Sequence, residues 1–143
     1  MARITIDIPS DPVFSTTIAV RLSDINHASH LAHDSFITLL GEARARLLNH
    51  FGYTDTDIEG DALVVADLAV TYKSQSFYGD VLKIECSAAG LNKYGCDIFY
   101  RVTNLESEKL ILEAKTGIVF FNYEHQKVTA IPEEFVKKMG LSG

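Results

Sequence analysis

The residues best suited to chemistry stand together in one short segment. Three of the five histidines, His27, His30 and His33, fall within seven residues, and Asp24 and Asn26 precede them. A histidine titrates near pH ~6.5, so it can accept or donate a proton at neutral pH. The carboxylate of Asp24 can also act as a base. This segment is therefore the candidate active site.

The three histidines also raise the question of a metal site. Imidazoles are common zinc ligands, but a zinc site needs several of them to converge on one point. The histidines lie three residues apart in a segment that has the composition of a loop, and a loop does not guarantee such convergence. The two cysteines do not have the spacing of metal ligands. We therefore expect no metal.

A strand and a long helix flank the histidine segment. Residues 13–22 alternate between apolar and polar positions, which is typical of a strand. Apolar residues then recur at the spacing of one buried helical stripe. Gly52 suits the position after this helix, where positive φ is common, and Ser29, Asp34 and Ser35 are candidates to cap its start. The stripe consists of Phe36, Leu39, Leu40, Ala43, Leu47 and Phe51.

The rest of the chain has the pattern of strands. Strands separated in sequence from one long helix predict an α+β domain, in which the helix packs on one face of an antiparallel sheet. Residues 1–143 contain no linker or repeat, so we expect a single domain. Pro132 is expected at the first position of a short final helix. The expected strands are residues 63–73, 82–88, 97–103 and 110–122.

Some of these strands are apolar on both faces. One helix covers only one face of a sheet, so an apolar second face predicts burial by another subunit around a two-fold axis. We therefore expect a homo-oligomer, either a dimer or a dimer of dimers; simple exposure of these residues is the alternative. The two faces carry Ile111, Val119 and Phe121 on one side and Leu110, Leu112, Ile118 and Phe120 on the other.

Charge and composition limit the partners. The formal net charge is −6, which disfavours nucleic acid or an anionic membrane, because both attract basic surfaces. No apolar run approaches the ~20 residues of a membrane-spanning helix, and the first residues do not have the pattern of a secretory signal. We expect a cytoplasmic protein with reduced, packed cysteines, although Cys86 and Cys96 could also face each other across a hairpin.

The order of elements and several short motifs resemble the hotdog-fold acyl-CoA thioesterases of the 4-hydroxybenzoyl-CoA thioesterase superfamily. The likeness extends over residues 14–132, and it includes residues 72–80, 99–102 and 114–120, which resemble a turn and the last two strands of that family. Its most specific part leads into the helix. There the matching positions are Arg21, Asp24, Ile25, Asn26, Ser29, His30, Leu31, His33, Phe36, Glu42, Ala43 and Arg44.

This resemblance implies a curved antiparallel sheet wrapped around a long helix. It also implies an acyl-CoA thioesterase that hydrolyses an acyl or aroyl thioester. No cofactor is implied, since coenzyme A enters only as part of the substrate. Its phosphates have possible contacts in Lys73, Lys93, Arg101 and Lys115, for which a solvated surface position is the simpler interpretation.

Asn26 is the main departure from the family. In the resembled enzymes its place holds the catalytic carboxylate, and an amide cannot accept the proton of a water as a carboxylate does. Asn26 can still orient a water or hydrogen-bond the thioester oxygen. The alternative is a non-hydrolytic hotdog protein that binds acyl thioesters. A hydratase is disfavoured, because five residues separate Asp24 from His30, where hydratases of this fold have four.

The resemblance also ranks the other residues of the segment. His33 matches a histidine in one branch of the family and is the expected base. His30 matches a histidine in another branch, whereas His27 matches no functional position. Asp24 would point to the same side as Asn26 in an extended segment, and a turn residue is its alternative.

Two more carboxylates form a second line of candidates. Glu42 falls on the helix glutamate of the family, but its place inside the helix favours a structural pair with Arg46 at i+4. Asp67 interrupts an apolar strand. A buried carboxylate there would need a partner or a shifted pKa, and it could face the helix terminus of a neighbouring subunit.

Overall fold

The computed structural model describes residues 3–26 and 31–142. Within these ranges the predicted order of a strand, a long helix and four strands is confirmed, and one further short strand precedes the final helix. In chain order the elements are β1 (Phe14–Ala19), a 3-10 turn (Leu22–Asp24), α1 (His33–His50), β2 (Ala62–Tyr72), β3 (Val81–Ala89), β4 (Gly95–Asn104), β5 (Leu110–Asn122), β6 (Lys127–Thr129) and α2 (Glu133–Lys138).

The strands form one open antiparallel sheet in the order β1-β3-β4-β5-β2, and β6 pairs with the end of β5. The apolar stripe of α1 packs on one face of this sheet, as predicted for the α+β class. β1 and β2 are the two edges of the sheet, although they are consecutive strands in the sequence. The segments that enter and leave α1 therefore belong to opposite edges.

Helix α1 buries the predicted stripe. Phe36, Leu39, Leu40, Ala43 and Leu47 are buried, which stabilises the domain by roughly 25 cal/mol for each Å² of apolar surface removed from water. The sixth member, Phe51, is the half-buried C-cap residue instead, since the helix ends at His50. The next residue, Gly52, has φ +85°, which confirms its predicted place after the helix.

Two of the three candidate caps of α1 are wrong. Ala32 is the N-cap residue, and among the described residues no side chain caps the helix. Asp34 and Ser35 lie inside the first turn, because the helix begins two residues earlier than a cap at Asp34 would require and three earlier than a cap at Ser35. Ser29 lies outside the described residues. The first main-chain N–H groups of α1 therefore receive no side-chain cap from residues 3–26 and 31–142.

The inner face of the sheet carries the apolar residues that the alternation predicts. On β3 and β5 these residues are fully buried against α1 and its surroundings, so they form the core together with the helix stripe. They are Leu82, Ile84 and Cys86 on β3 and Leu112, Ile118 and Phe120 on β5.

The outer face is only partly covered. Val119 and Phe121 are half-buried there. Ile111, which was also expected on this face, is buried instead, because the register between β4 and β5 shifts at this point: Val102 pairs with Leu112, and the next pair skips Ile111. Burial of this face by a second subunit stays a prediction.

The two cysteines do not face each other. Cys86 pairs with Tyr100 in the sheet, whereas Cys96 pairs with Ile118 on the far side of β4. The possible contact across a hairpin is therefore wrong, because the strands β3 and β4 place the two residues out of register. Both are buried free thiols, and burial raises the pKa of each to about 12. Their role is packing, as expected.

A polar chain crosses this apolar interior. The hydroxyls of Tyr100 and Thr116 are 2.8 Å apart, and Nη1 of Arg44 donates to the Tyr100 hydroxyl over 3.4 Å. Tyr100 and Thr116 are buried, so their hydroxyls depend on each other for hydrogen bonds. The chain ties α1 to β4 and β5. No alternation of apolar residues predicts it.

The final helix closes one end of the core. Pro132 is its N-cap residue rather than its first helical residue, one position earlier than predicted. Phe135 of α2 is fully buried, and its ring centroid lies 5.0 Å from that of Phe120 and 6.1 Å from that of Tyr53. In the described ranges, no helix has the length and apolar character that crossing a membrane requires.

Candidate functional site

The segment before α1 is closed at its base. Ile25 and Leu31 form an antiparallel bridge, so the chain returns to its starting point on either side of the undescribed residues. The N–H of Leu31 donates to the carbonyl of Ser76 over 2.7 Å, and the N–H of Ala32 donates to the carbonyl of Asp24 over 3.2 Å. These bonds bring Asn26, which is half-buried, to the same end of the molecule as the start of α1.

His33 is the first residue of α1, and its side chain is exposed. It borders a pocket of about 240 Å³. One wall of this pocket comes from the start of α1 and the other from the end of β2 and the turn after it. The lining residues are Leu31, His33, Phe36, Tyr72, Lys73, Ser74 and Gln75. The expected base therefore lies in a cleft of the size of a small acyl group.

The first turn of α1 supplies hydrogen-bond donors beside His33. The first bond within the helix runs from the N–H of Phe36 to the carbonyl of Ala32, over 3.2 Å. The N–H groups of His33, Asp34 and Ser35 precede it and have no acceptor inside the helix. Together with the helix dipole they form an electropositive end that can hold a developing negative charge.

Asp24 is paired within its own turn. Its carboxylate accepts hydrogen bonds from the main-chain N–H of Arg21 over 2.8 Å and from Nε and Nη2 of the same residue over 3.3 and 3.2 Å. Burial of Asp24 favours its neutral form, but the bonds from Arg21 outweigh this effect and lower the pKa of the carboxyl below its usual value. A carboxylate held in this way is a weak base, and the geometry favours its role as a turn residue.

Glu42 lies on the other side of α1 from His33. Glu42 follows His33 by nine positions, which corresponds to about two and a half helical turns, so the two side chains point in opposite directions. The expected pair with Arg46 is confirmed, since Nε of Arg46 donates to Glu42 over 2.9 Å. Glu42 borders a separate groove between α1 and β1. The structure therefore does not bring Glu42 to the pocket.

Asp67 lies on the edge strand β2 and is exposed, although it interrupts an apolar strand. A register shift between Val65 and Asp67 turns this part of the strand outward. Asp67 accepts hydrogen bonds from Nζ of Lys115 over 2.8 Å and from the N–H of Gly117 over 2.8 Å. The bond from Lys115 is the main cause of its lowered pKa. Asp67 stands five residues from the pocket residue Tyr72, about 16 Å along the strand.

The other candidates divide between the described and the undescribed residues. His27 and His30 lie outside the described residues. Among residues 3–26 and 31–142, no three histidine, cysteine or acidic side chains are placed to hold a metal ion. Of the basic residues, Lys73 lines the pocket. Arg101 pairs with Glu113 over 3.6 Å.

Sequence reasoning missed the far wall of the pocket. The sequence pattern places Tyr72 in an expected strand and Tyr72, Ser74 and Gln75 in a turn that leads into the next strand, with no role in the site. Tyr72 contacts His33, which is 39 residues away in sequence. No local spacing links two residues so far apart. The only available signal was that the apolar face of α1 has to pack against the sheet that contains β2.

Comparison with known proteins identifies the family of this chain. The profile of the thioesterase-like superfamily matches residues 20–139, and no curated protein matches the chain in sequence. A 1,4-dihydroxy-2-naphthoyl-CoA thioesterase from Synechocystis has a similar structure, with a TM-score of 0.81 and 18% identity over 89% of this chain and 95% of that one.

Two further solved structures show the same likeness. A probable thioesterase from Escherichia coli has a TM-score of 0.74 and 22% identity, and the match covers 87% of this chain and 94% of that one. A hypothetical protein from Aquifex aeolicus has a TM-score of 0.79 and 20% identity, covering 88% and 98%. The chain belongs to the thioesterase-like superfamily, and its fold is the hotdog fold that the sequence resemblance implied.

Replacing Asp24 with Asn should destabilise the turn before the pocket. At pH 7 we expect the free energy of unfolding to fall by about 1–3 kcal/mol, because a buried charged acceptor with three hydrogen bonds becomes neutral. Urea unfolding followed by circular dichroism measures this change. Asp55→Asn is the matched control on an exposed carboxylate, and its effect should stay within about 0.5 kcal/mol.

The difference in the free energy of unfolding between the parent and Asp24→Asn should depend on pH. The lowered pKa of Asp24 means that its contribution is present above its ordinary pKa of ~3.9 and is lost only as the pH falls through the lower, folded-state value. The difference between the parent and Asp24→Asn should therefore persist from pH 7 to about pH 4 and shrink below it. A difference that has already vanished at pH 5 would contradict the pairing with Arg21.

Proposed function

We propose that this protein is an acyl-CoA thioesterase that hydrolyses an acyl or aroyl thioester to the free acid and coenzyme A. The observation that supports the proposal is the pocket at the start of α1, which His33 lines, because the N–H groups of the first helical turn, which have no acceptor inside the helix, belong to the same end of α1. Thioester hydrolysis needs both a base and an oxyanion site, and Asn26 lies at the same end of the molecule.

The proposed reaction begins with a water beside His33. As the water oxygen bonds to the carbonyl carbon of the thioester, the imidazole takes up one of its protons. Negative charge develops on the former carbonyl oxygen, where the N–H groups of the first turn stabilise it. The carbon–sulfur bond then breaks, the carbonyl reforms, and the thiolate leaves with its electron pair. The proton on His33 returns to solvent or to the thiolate.

Asn26 has a positioning role in this proposal. Its amide can orient the water or donate a hydrogen bond to the thioester oxygen, but it does not take up a proton. The base role therefore passes to His33, while Asp24 supports the turn through Arg21. A contribution from His30 stays a prediction. A non-hydrolytic protein that binds acyl thioesters is the second candidate function, and the amide at position 26 is the observation that favours it.

Coenzyme A rather than a carrier protein is the proposed source of the thiol. Lys73 lines the pocket from the side of β2, where its ammonium group can approach a phosphate. A thiolate is a good leaving group, so the reaction requires no metal or redox cofactor to proceed. Coenzyme A enters only as part of the substrate. The pocket volume of about 240 Å³ suits a short or aromatic acyl group better than a long chain.

A second copy of the chain is the proposed partner. The edge strand β2 has 11 residues, pairs only with β5 among the described strands, and exposes Val65 and Leu68. A long edge of this kind pairs readily with another strand. The opposite edge is shorter and less available, because Nη1 of Arg46 already bonds the carbonyl of Thr17 over 2.9 Å. We expect the two copies to pair through β2 around a two-fold axis.

Replacing Leu68 with Arg should weaken this homo-oligomer. A charge on each of two facing strands repels its symmetric copy and places a guanidinium in an apolar contact. Light scattering at micromolar concentration should show a dimer or larger for the parent and a smaller species for the variant. Leu105→Arg, on an exposed turn, should leave the size unchanged. A monomeric parent would contradict the proposed partner.

Removal of the imidazole tests the base. His33→Ala should lower kcat/KM for acyl-CoA hydrolysis about 100-fold or more, which is the usual contribution of a general base. Release of thiol from a panel of acyl-CoAs of different chain length measures the rate. His50→Ala is the matched control, since His50 is an exposed histidine at the other end of the same helix. Full activity of His33→Ala would sink the assignment of His33 as the base.

Restoring the carboxylate separates the two candidate functions. Asn26→Asp should raise kcat by about tenfold or more, because it adds a base at the position where the related enzymes carry one. Asn49→Asp adds the same charge at an exposed position near the end of α1 and should have no effect. A parent protein that binds acyl-CoA tightly but releases no thiol on any substrate is a binding protein, and the thioesterase proposal is then wrong.

A further inference from the structure

Tyr72 ends β2 and stands against the first turn of α1. Its ring centroid lies 4.9 Å from that of His33, with the planes at 68°, and 5.8 Å from that of Phe36, with the planes at 61°. His33 and Phe36 are three residues apart and share one face of the helix, so one ring contacts both. Phe36 is buried, whereas His33 is exposed. Tyr72 therefore connects an anchored core residue with the imidazole at the pocket.

The hydroxyl of Tyr72 makes a separate contact with the same residue. It donates a hydrogen bond to the main-chain carbonyl of His33 over 3.3 Å. Burial, followed by the nearby charge of Asp34, raises the pKa of Tyr72, so the hydroxyl keeps its proton at neutral pH. This bond holds the first peptide of α1 in place and leaves the imidazole nitrogens uninvolved.

Tyr72 borders two spaces on the surface. One is the pocket that contains His33. The other is a depression of about 260 Å³, which Tyr72 and Lys73 line together with Arg3, Ile4, Val70 and Thr71. Replacing Tyr72 with an aliphatic residue would remove the ring that the imidazole contacts.

We propose that Tyr72 is the positioning residue of His33, with its ring orienting the imidazole over the pocket and its hydroxyl holding the main chain beneath it. An exposed histidine samples several side-chain rotamers. A neighbour that selects one of them in advance removes part of the entropy cost of reaching the reactive geometry. The proposal rests on the proposed role of His33, but the orientation of the ring can be measured without turnover.

Nuclear magnetic resonance tests the contact directly. An aromatic ring held edge-on at this distance shifts the imidazole carbon-bound proton signals of His33, which His33→Gln identifies by their loss. We expect Tyr72→Phe to keep these shifts, because the ring remains, and Tyr72→Leu to move them towards the values of an exposed histidine. Tyr78→Leu, at an exposed turn position, should leave them unchanged. Unchanged His33 signals in Tyr72→Leu would overturn the proposal.

Kinetics tests whether the contact matters for the reaction. Tyr72→Leu should lower kcat about 10- to 100-fold, as expected for a misplaced catalytic group. Tyr72→Phe loses one hydrogen bond and should lower kcat about 2- to 10-fold. The decisive comparison is made in the His33→Ala background, where Tyr72→Leu should cause no further loss, because two residues that act through one group are not additive.

The outcomes separate positioning from a general effect on the fold. An equal loss of kcat from Tyr72→Leu in the parent and in His33→Ala would overturn the proposal, since Tyr72 would then act without His33. Parent-like thermal unfolding of Tyr72→Phe with a lowered kcat would support it. Full activity of His33→Ala would overturn the assignment of His33 as the base, on which this proposal rests, whereas the ring-current measurement would still decide whether Tyr72 orients the imidazole.

Discussion

The main-chain hydrogen bond from Leu31 to the carbonyl of Ser76, 2.7 Å long, joins the start of α1 to the turn that follows β2. These two segments come from distant parts of the sequence, and each forms one wall of the pocket. Leu31 also forms the antiparallel bridge with Ile25, so the chain before α1 is held at the same residue. The pocket therefore exists because a helix start and a strand end are held side by side, and His33 faces Tyr72 as a result.

Ion pairs determine which side chains of this structure remain available as a proton acceptor. Three of the carboxylates that seemed suited to catalysis have a basic partner: Asp24 has Arg21, Glu42 has Arg46, and Asp67 has Lys115. Exposed pairs such as Glu42 with Arg46 contribute little to stability, but they occupy the carboxylate and fix its direction. In the part of the chain that the structure describes, His33 is the candidate proton acceptor that faces the pocket.

The sequence predicted the helices and strands far better than the contacts between them. The helix stripe from Phe36 to Leu47 and the inward residues of β3 follow from periodicity alone, because burial of one face imposes that period. The start of α1 was misjudged, since Ala32 carries no capping oxygen and leaves no signal. The sequence did not indicate Tyr72 for a different reason. Tyr72 contacts His33, which is 39 residues away in sequence, and this contact depends on the order of strands in the sheet. The outward turn of Asp67 depends on a register shift that alternation does not reveal.

The burial of Cys86 and Cys96 has a practical consequence for measuring thioester cleavage. Both thiols are enclosed and stay protonated at neutral pH, since burial raises the pKa of each to about 12. The thiolate is the reactive form of cysteine, and the chain has no other cysteines. A disulfide dye added to the folded protein therefore reacts with liberated coenzyme A and spares the protein, and a slow dye signal without substrate reports unfolding.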